Sequence, residues 1–470
     1  MKLAILPLSL ALTACVAGPD FSPPKLPAVS RYTAEPLPDV ELETKTASAE
    51  SAAAPEWWQI FHSPKLDDTV RTALAGNRNL RAAQASLEQA QAIYGASRSA
   101  RLPQVTGDAG TGRNKYGAAF LGGFTLPPFT YYSIGANVSY LLDFAGGVRR
   151  TIEEQQALAE VQAHELAAAH LTITGNVVLQ ALAIASARAQ LAAAQAVIAD
   201  DTRNVALVRT ALQAGSVAQV DLLSAESQLA QDQTLLPPLR QKLSVARHAL
   251  AVLVGQAPGN WSPPDFDLTD FMPPAALPAS LPSELAHRRP DIRASEAQLH
   301  AATAAVGVAA AQLYPHITLT SSLSQQALSI SNIFDRASNA WGIAGDLAAP
   351  IFNGGKLRSQ RQAAEAGMRV ALAKYEQTVI TAFGQVADVL AALQHDAEQT
   401  AAQQRALDVA ESSLRLTRAS YQAGNVGVLQ VLDAERLVER ARIGAASARG
   451  ERMRDTAELI VALGGDSPST

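Results

Sequence analysis

Hydrophobic residues in this chain follow two periodicities, and the first alternates every second position. Alternating runs predict β-strands at about 103–114, 131–143, 315–325 and 339–350. In the second run, one face is made by Ile134, Ala136, Val138, Tyr140 and Leu142. Each run is long enough to supply the ~9–11 residues that a tilted transmembrane strand needs. The alternation suits either a membrane strand or a small soluble sandwich with one wet face.

The second periodicity is helical and extends much further along the chain. From Val148 to Ala214 there is no proline, and Gly175 is the main residue that weakens a helix. A continuous helix of this length would extend about 100 Å, which is typical of a rod rather than a globular domain. On the returning segment, leucine recurs every seven residues, as in coiled coils, at Leu222, Leu229, Leu236, Leu243 and Leu250. Pro237-Pro238 is expected to kink or interrupt that helix.

The same order of elements occurs twice. The segment 207–215 (LVRTALQAG) returns as 416–424 (LTRASYQAG), and 143–147 (DFAGG) returns as 351–355 (IFNGG). In the first pair, the final glycine is expected to end a long helix in a left-handed conformation. We therefore predict two copies of one large unit, each with two strands and a long helical hairpin.

These patterns divide the chain into six segments. In order, they are a signal peptide at 1–14, an extended N-terminal segment at 15–64, a first repeat at 65–254 with long helices over 148–254, a proline-rich linker at 255–286, a second repeat at 287–464 with long helices over 355–463, and a tail at 465–470.

Cys15 is the only cysteine, so the chain forms no internal disulfide. A basic start, a short apolar run and Leu12-Thr13-Ala14-Cys15 resemble a bacterial signal peptide with a lipobox. In that case Cys15 is lipidated and becomes the first residue of the mature chain, and Val16 behind it favours sorting to the outer membrane. The other interpretation is a chance cysteine in a discarded leader.

Composition favours long helices and gives little evidence of chemistry. Hydrophobic residues make up 48% of the chain but aromatic residues only 5%, and the net charge of −5 gives no reason to expect nucleic acid. The eight histidines and four methionines show no metal-binding spacing, and no Walker-type loop is present. The acidic pairs Glu153-Glu154 and Asp200-Asp201 are interpreted as solvated helix faces. No catalytic residue, metal or cofactor other than the lipid is expected.

Four strands are too few to close a barrel. No further uninterrupted apolar run approaches the ~18–20 residues of a membrane helix, so a membrane crossing would use the strands. An open four-stranded sheet would leave unpaired edges in hydrocarbon, where each unsatisfied backbone group is costly. Strand number therefore predicts that other subunits complete the sheet.

Together these features resemble the outer-membrane efflux protein family, the TolC-like channels, in the lipoprotein branch that serves resistance–nodulation–division pumps. The motifs that carry the resemblance are Tyr421–Gly424 (YQAG), Val431–Arg436 (VLDAER), His287–Asp291 (HRRPD) and Phe352–Gly355 (FNGG). The resemblance covers about 57–464. It implies a mainly α protein with a membrane β-barrel portion, in which a homotrimer forms a twelve-stranded barrel continued by a long periplasmic α-helical barrel.

The resemblance also implies partners and a gate. The partners are a periplasmic adaptor, an inner-membrane resistance–nodulation–division transporter and outer-membrane lipid. Leu429 and Asp433 would constrict the pore and Arg436 would hold the closed helices, with Asp221 as a possible first-repeat counterpart. Alternatively, Asp433 is a helix-capping carboxylate and Arg436 its i,i+3 partner. The hairpin tips expected to contact the adaptor are Gly215, Ser216, Val217, Gly424, Asn425 and Val426.

The function expected from this resemblance is a passive exit duct for drugs or other small molecules, located in the outer membrane with a large periplasmic portion. Two alternatives remain open at this stage. One is the outer-membrane channel of type I protein secretion, and the other is a lipid-anchored coiled-coil structural protein.

Overall fold

The structure of the 470-residue chain is a computed structural model. It describes residues 16–25, 32–33, 42–43, 56–117, 122, 125–272, 277–278 and 288–465. The predicted signal peptide at 1–14 and the predicted lipidation site Cys15 lie outside the described residues. Most of the predicted linker beyond residue 272 also lies outside them.

The first repeat contains two short helices, two strands and an interrupted helical hairpin. In chain order they are α1 (Pro64–Gly76), α2 (Arg78–Ser99), β1 (Gln104–Asn114), β2 (Phe129–Leu142), α3 (Gly147–Gln213), α4 (Gln219–Gln233) and α5 (Leu236–Leu253). The break between α4 and α5 occurs where Pro237-Pro238 begins the new helix. Proline is tolerated there because the first helical N–H groups have no intrahelical partner.

The second repeat has the same order, but its returning helix is continuous. Its elements are α6 (Pro290–Ala311), β3 (His316–Ala327), β4 (Asn339–Ala348), α7 (Lys356–Gln422) and α8 (Val428–Ala462). α3 and α7 contain 67 residues each, so the predicted long helices form in both repeats.

The four predicted strands form one antiparallel sheet in the order β1-β2-β3-β4. Val105 pairs with Val138, Ala136 pairs with Leu323, and Leu323 pairs with Trp341. The middle strands belong to different repeats, so the sheet joins the two copies through β2 and β3. A further two-residue parallel pairing joins Leu42–Glu43 to Leu277–Pro278.

Contacts divide the chain into two compact units. The first comprises Met1–Pro24, Ser86–Ala163 and Ala294–Glu376, and it contains the sheet. The second comprises Lys25–Ala85, His164–Arg293 and Gln377–Thr470. The largest cluster of buried side chains lies in the second unit and includes Trp57, Trp58, Phe61, Leu66, Val177, Leu250, Phe266 and Ile460.

Close packing holds α3 against α8 in the second unit. Gly175 does not break α3; it lies inside the helix, and a Cβ at this position would come within 2.8 Å of Val461 Cγ2. Trp57 Nε1 donates to Thr174 Oγ1 at 3.1 Å beside this contact. Gly175 therefore provides space for a neighbouring helix rather than a helix end.

One helix of the described residues is apolar enough to cross a membrane by length and composition. It is α3, in which an 18-residue window has a mean hydropathy of 1.5 and is 44% buried within the chain. The prediction of membrane helices from the sequence rested only on uninterrupted apolar runs, and it therefore did not find this stretch of α3. Packed core helices meet the same criterion, so the window alone does not identify a membrane span.

Candidate functional site

One face of the sheet is apolar across all four strands. Residues paired in register share a face, and this face combines Val105 and Val138 with Ile134, Leu323 and Trp341. Its side chains are largely exposed within the chain: Trp341 is 74% exposed, and Ile343 and Leu347 on the same strand are 76% and 68% exposed. Exposed apolar patches of this kind mark contact with lipid or with another protein.

The opposite face of the sheet carries mainly small and polar residues. Asn137 Nδ2 donates to Asp108 Oδ1 at 2.7 Å between β2 and β1. The same face carries Gln104, Thr106, Ser139, Thr318, Thr320, Ser322, Ser324 and Asp346. The sheet therefore has one face suited to hydrocarbon and one suited to water, as the wall of a membrane barrel requires.

The two hairpin tips have matching backbone geometry. Gly215 and Gly424 adopt φ values of 74° and 76°, which side chains with a Cβ rarely tolerate. Ser216 N donates to Ala211 O at 3.0 Å, and Asn425 N donates to Ser420 O at 2.9 Å. This pattern is the Schellman end of a helix, and it leaves the following residues, Val217 and Val426, in the short connections to α4 and α8.

Asp221 lies at the start of α4 and caps it. The backbone N–H of Ala218 donates to Asp221 Oδ2 at 2.8 Å. A carboxylate at this position satisfies a free N–H group and suits the positive end of the helix dipole. The structure therefore places Asp221 in a capping role at the tip of the first hairpin.

The three predicted gate residues lie on one face of α8, at spacings of four and three residues. Leu429 is 47% exposed, and Arg436 Nη2 forms an ion pair with Asp433 Oδ1 at 2.6 Å. The Asp433 side chain is 65% exposed. With α4 they line a cavity of about 390 Å³ whose walls are Ser224, Gln228, Leu429, Gln430, Leu432, Asp433 and Arg436. Asp433 lies in the second turn of α8, so it is not a first-turn cap.

Arg289 of the Arg289-Pro290-Asp291 motif forms a hydrogen bond with the C-terminal end of α8. Arg289 is buried and donates to both carboxylate oxygens of Asp291, at 3.0 and 2.7 Å. It also donates to Ala462 O at 2.9 Å and to Gln385 Oε1 at 2.8 Å. This cluster joins the beginning of α6 to α7 and α8, which gives the Arg289-Pro290-Asp291 motif a structural role.

Residues after Cys15 are held against the first unit. Ala17 N donates to Ala145 O at 3.0 Å, and Arg150 Nε donates to Ala17 O at 3.1 Å. Arg150 is buried and also pairs with Asp20 at 2.6 Å and with Glu153 at 2.7 Å. The N-terminal segment is therefore fixed beside the start of α3, immediately after β2.

The interpretation of both acidic pairs as solvated faces is wrong. Glu153 is half-buried between Arg150 and His300, whose Nε2 lies 3.0 Å from Glu153 Oε1. Asp201 is only 3% exposed, and it lies with Asp232 and Glu439 in a buried acidic cluster. Helical spacing alone does not reveal this cluster, since its three members come from α3, α4 and α8.

Comparison with known proteins identifies the family. A model described as "Outer membrane efflux protein" matches residues 69–256 and 281–465. The cation efflux system protein CusC of Escherichia coli K12 is 30% identical over 460 residues, covering 97% of this chain and 98% of that protein. The probable outer membrane lipoprotein SilC of Salmonella typhimurium is 29% identical over 469 residues, covering 99% of each chain.

The solved structure of the outer-membrane channel OprN matches with a TM-score of 0.88 and 28% identity, covering 97% of this chain and 100% of that one. These matches confirm the predicted resemblance and, with it, the channel fold and the outer-membrane location. The chain belongs to the outer membrane efflux protein family.

Proposed function

We propose that this chain is the outer-membrane duct of a tripartite efflux system and that it acts as a homotrimer. The four-stranded sheet carries this proposal. One face of the sheet is apolar, and in the described part of the chain β1 and β4 each pair with only one strand. Hydrocarbon offers no water to the open edges, so another sheet must pair with them. Three chains supply twelve strands, which is enough to close a barrel.

The proposed anchor is a lipid on Cys15. Ala17 and Asp20 lie near the end of β2, where Ala17 bonds Ala145 and Asp20 pairs with Arg150. A lipid attached two residues before Ala17 is thereby kept close to the strands that enter the membrane. The name of SilC as a probable outer membrane lipoprotein supports the same assignment.

The proposed periplasmic part consists of the two helical hairpins. Their tips would contact an adaptor protein, which connects the duct to an inner-membrane resistance–nodulation–division transporter that supplies the energy. The matching Schellman turns support this role, because they present two similar connections, 214–218 and 423–427, to one partner. In this arrangement the chain is a passive channel and has no catalytic role.

The proposed gate is the face of α8 that carries Leu429, Asp433 and Arg436. All three side chains are at least partly exposed within one chain, so they are available to meet their counterparts around a three-fold axis. Three copies of Asp433 around this axis would form a ring of carboxylates, which acts on ions at close range. The Asp433–Arg436 ion pair holds the charged face in one geometry while the pore is closed.

The decisive experiment combines location, mass and conductance. Membranes from cells expressing the wild type or Cys15→Ser are fractionated, and the protein is weighed by native mass spectrometry in mild detergent. We expect an outer-membrane particle of three chains that conducts ions in planar bilayers, and a Cys15→Ser trimer that lacks the lipid mass. A monomer that salt releases from the membrane would contradict the shared barrel. Export of a protein rather than small molecules would instead indicate type I secretion.

A further inference from the structure

Three acidic side chains meet in the interior of the second unit. Asp201 of α3, Asp232 of α4 and Glu439 of α8 are 3%, 9% and 7% exposed. One carboxylate oxygen from each lies within 4.8 Å of the other two. Carboxylates so close and so buried repel one another unless a proton or a cation lies among them.

Two oxygens of this cluster have no hydrogen-bond partner among the residues that the structure describes. They are Asp201 Oδ2 and Glu439 Oε1, and both are buried. Asp232 Oδ2, by contrast, accepts a hydrogen bond from Gln228 Nε2 at 2.6 Å. Unpaired buried acceptors are rare in folded proteins, and a bound ion or water is a common partner for them.

The arginines around the cluster form ion pairs with other carboxylates. Arg418 pairs with Glu435 at 2.6 Å, Arg442 pairs with Glu411 at 2.9 Å, and Arg203 pairs with Asp200. Within the described residues, therefore, no basic side chain is paired with the three carboxyls.

We propose that Asp201, Asp232 and Glu439 form a binding site for a hard divalent cation, of the Ca²⁺ or Mn²⁺ class. Carboxylate oxygens are the ligands that these ions prefer. Two oxygens bound to one Ca²⁺ at 2.3–2.6 Å lie up to about 5 Å apart, which matches the spacing of the cluster. Soft monovalent metals prefer sulfur ligands, so the site suits a structural ion rather than a soft metal cargo.

The ion would cross-link the two hairpins. Asp201 and Asp232 belong to α3 and α4 of the first repeat, whereas Glu439 belongs to α8 of the second. Glu439 follows Arg436 by three residues on the same helix as Asp433. A cation at this site fixes α8 against the first hairpin and so restrains the helix that carries the proposed gate. The site itself does not depend on that proposal, since its binding is measured directly.

Mn²⁺ binding to the purified full-length protein in detergent tests the inference. After removal of metal with EDTA, free Mn²⁺ is measured by electron paramagnetic resonance during a titration, and Ca²⁺ is then added as a competitor. We expect one Mn²⁺ per chain, displaced by Ca²⁺, and at least tenfold weaker binding to Asp201→Asn. The control Asp200→Asn removes a neighbouring carboxylate that is paired with Arg203, and we expect it to bind like the wild type.

Thermal unfolding shows whether each variant is folded, so that weaker Mn²⁺ binding is not confused with a folding defect. Asp201→Asn is nearly isosteric and removes one of three repelling charges, so its melting temperature in EDTA should equal or exceed that of the wild type. Ca²⁺ should raise the melting temperature of the wild type and of Asp200→Asn but not that of Asp201→Asn. Equal Mn²⁺ affinity in all three proteins, or no binding to the wild type, would show that the cluster holds only protons and would overturn the proposal.

Discussion

At the scale of single residues, Asp396 makes stability depend on pH. It is buried on α7 beside Asp455, whose Oδ1 lies 3.2 Å from Arg454 Nε. Burial raises the pKa of Asp396 from 3.8 to about 6, and the charge of Asp455 adds to the effect. Because the folded chain holds this proton more tightly than the unfolded chain, the free energy of unfolding falls as the pH rises from 3.8 to 6, and the loss is complete above 6.

Asp396→Asn removes that loss, since the amide stays neutral at every pH. We expect the variant to melt at a higher temperature than the wild type at pH 8 and to approach it at pH 4. The melting temperature is measured by the fluorescence of the buried Trp57 and Trp58. Asp388→Asn, at an exposed position on the same helix, should show no difference at either pH. A variant that is less stable than the wild type at pH 8 would contradict the raised pKa.

The sequence alone does not predict the environment of a residue whose neighbours come from distant segments of the chain. Asp201 follows Asp200 in a helix, and nothing nearby in the sequence distinguishes the buried member of the pair from the half-buried one. Asp232 of α4 and Glu439 of α8 are remote from Asp201 in the sequence, and they lie beside it only in the folded chain. Gly175 is similar, because its role depends on Val461. Pro237-Pro238, in contrast, acts on its own backbone, and the predicted helix break occurs there.

At the scale of elements, the two faces of β4 should differ in their tolerance of charge. Ile343 lies on the apolar face and Ala344 on the opposite one, and both are exposed within a single chain. In a soluble sandwich, lysine at either position would therefore be tolerated. In a membrane wall, Ile343→Lys should cost about 2–4 kcal/mol near the bilayer midplane, whereas Ala344→Lys faces water.

The measurement is the amount of folded trimer in the outer membrane for each variant. We expect a clear loss for Ile343→Lys and near-normal levels for Ala344→Lys. Equal levels of both would favour the soluble sandwich and count against the barrel. The alternation along the chain predicted this division of faces. The pairing register across strands was not predictable, because each strand alone is compatible with several partners.

Asp221 should stabilise the first hairpin tip rather than close the pore. Asp221→Ala removes the acceptor for Ala218 N–H and should destabilise the tip by about 1 kcal/mol. Hydrogen–deuterium exchange of 214–222 should accelerate, while Asp221→Asn, which keeps an oxygen acceptor, should retain most of the protection. A rise in conductance with unchanged exchange would instead make Asp221 part of the gate.

At the scale of the whole molecule, the proposed three-fold symmetry would bring the gate residues of three chains together around one pore. Asp433 and Arg436 form a single exposed ion pair in one chain, and such a pair contributes little to stability. In a trimer, three copies around the axis would concentrate charge in a narrow opening, where each affects the passage of ions. The duplication accounts for the two hairpins with similar tips. The proposed gate pair lies in the second repeat, whereas in the first repeat Asp221 caps α4.

In the proposed gate, Asp433→Ala should therefore raise the conductance of single trimers in planar bilayers several-fold, since it removes the ring of carboxylates and leaves Arg436 without its partner on the same helix. Replacing both partners, as Asp433→Arg with Arg436→Asp, keeps the pair and reverses its order. We expect this double variant to stay closed like the wild type and to select less strongly for cations. Asp408→Ala, at an exposed position far along α7, serves as the charge-matched control and should conduct like the wild type. If Asp433→Ala and Asp408→Ala both conduct like the wild type, α8 closes by packing at Leu429 alone, and the ion pair has no part in the gate.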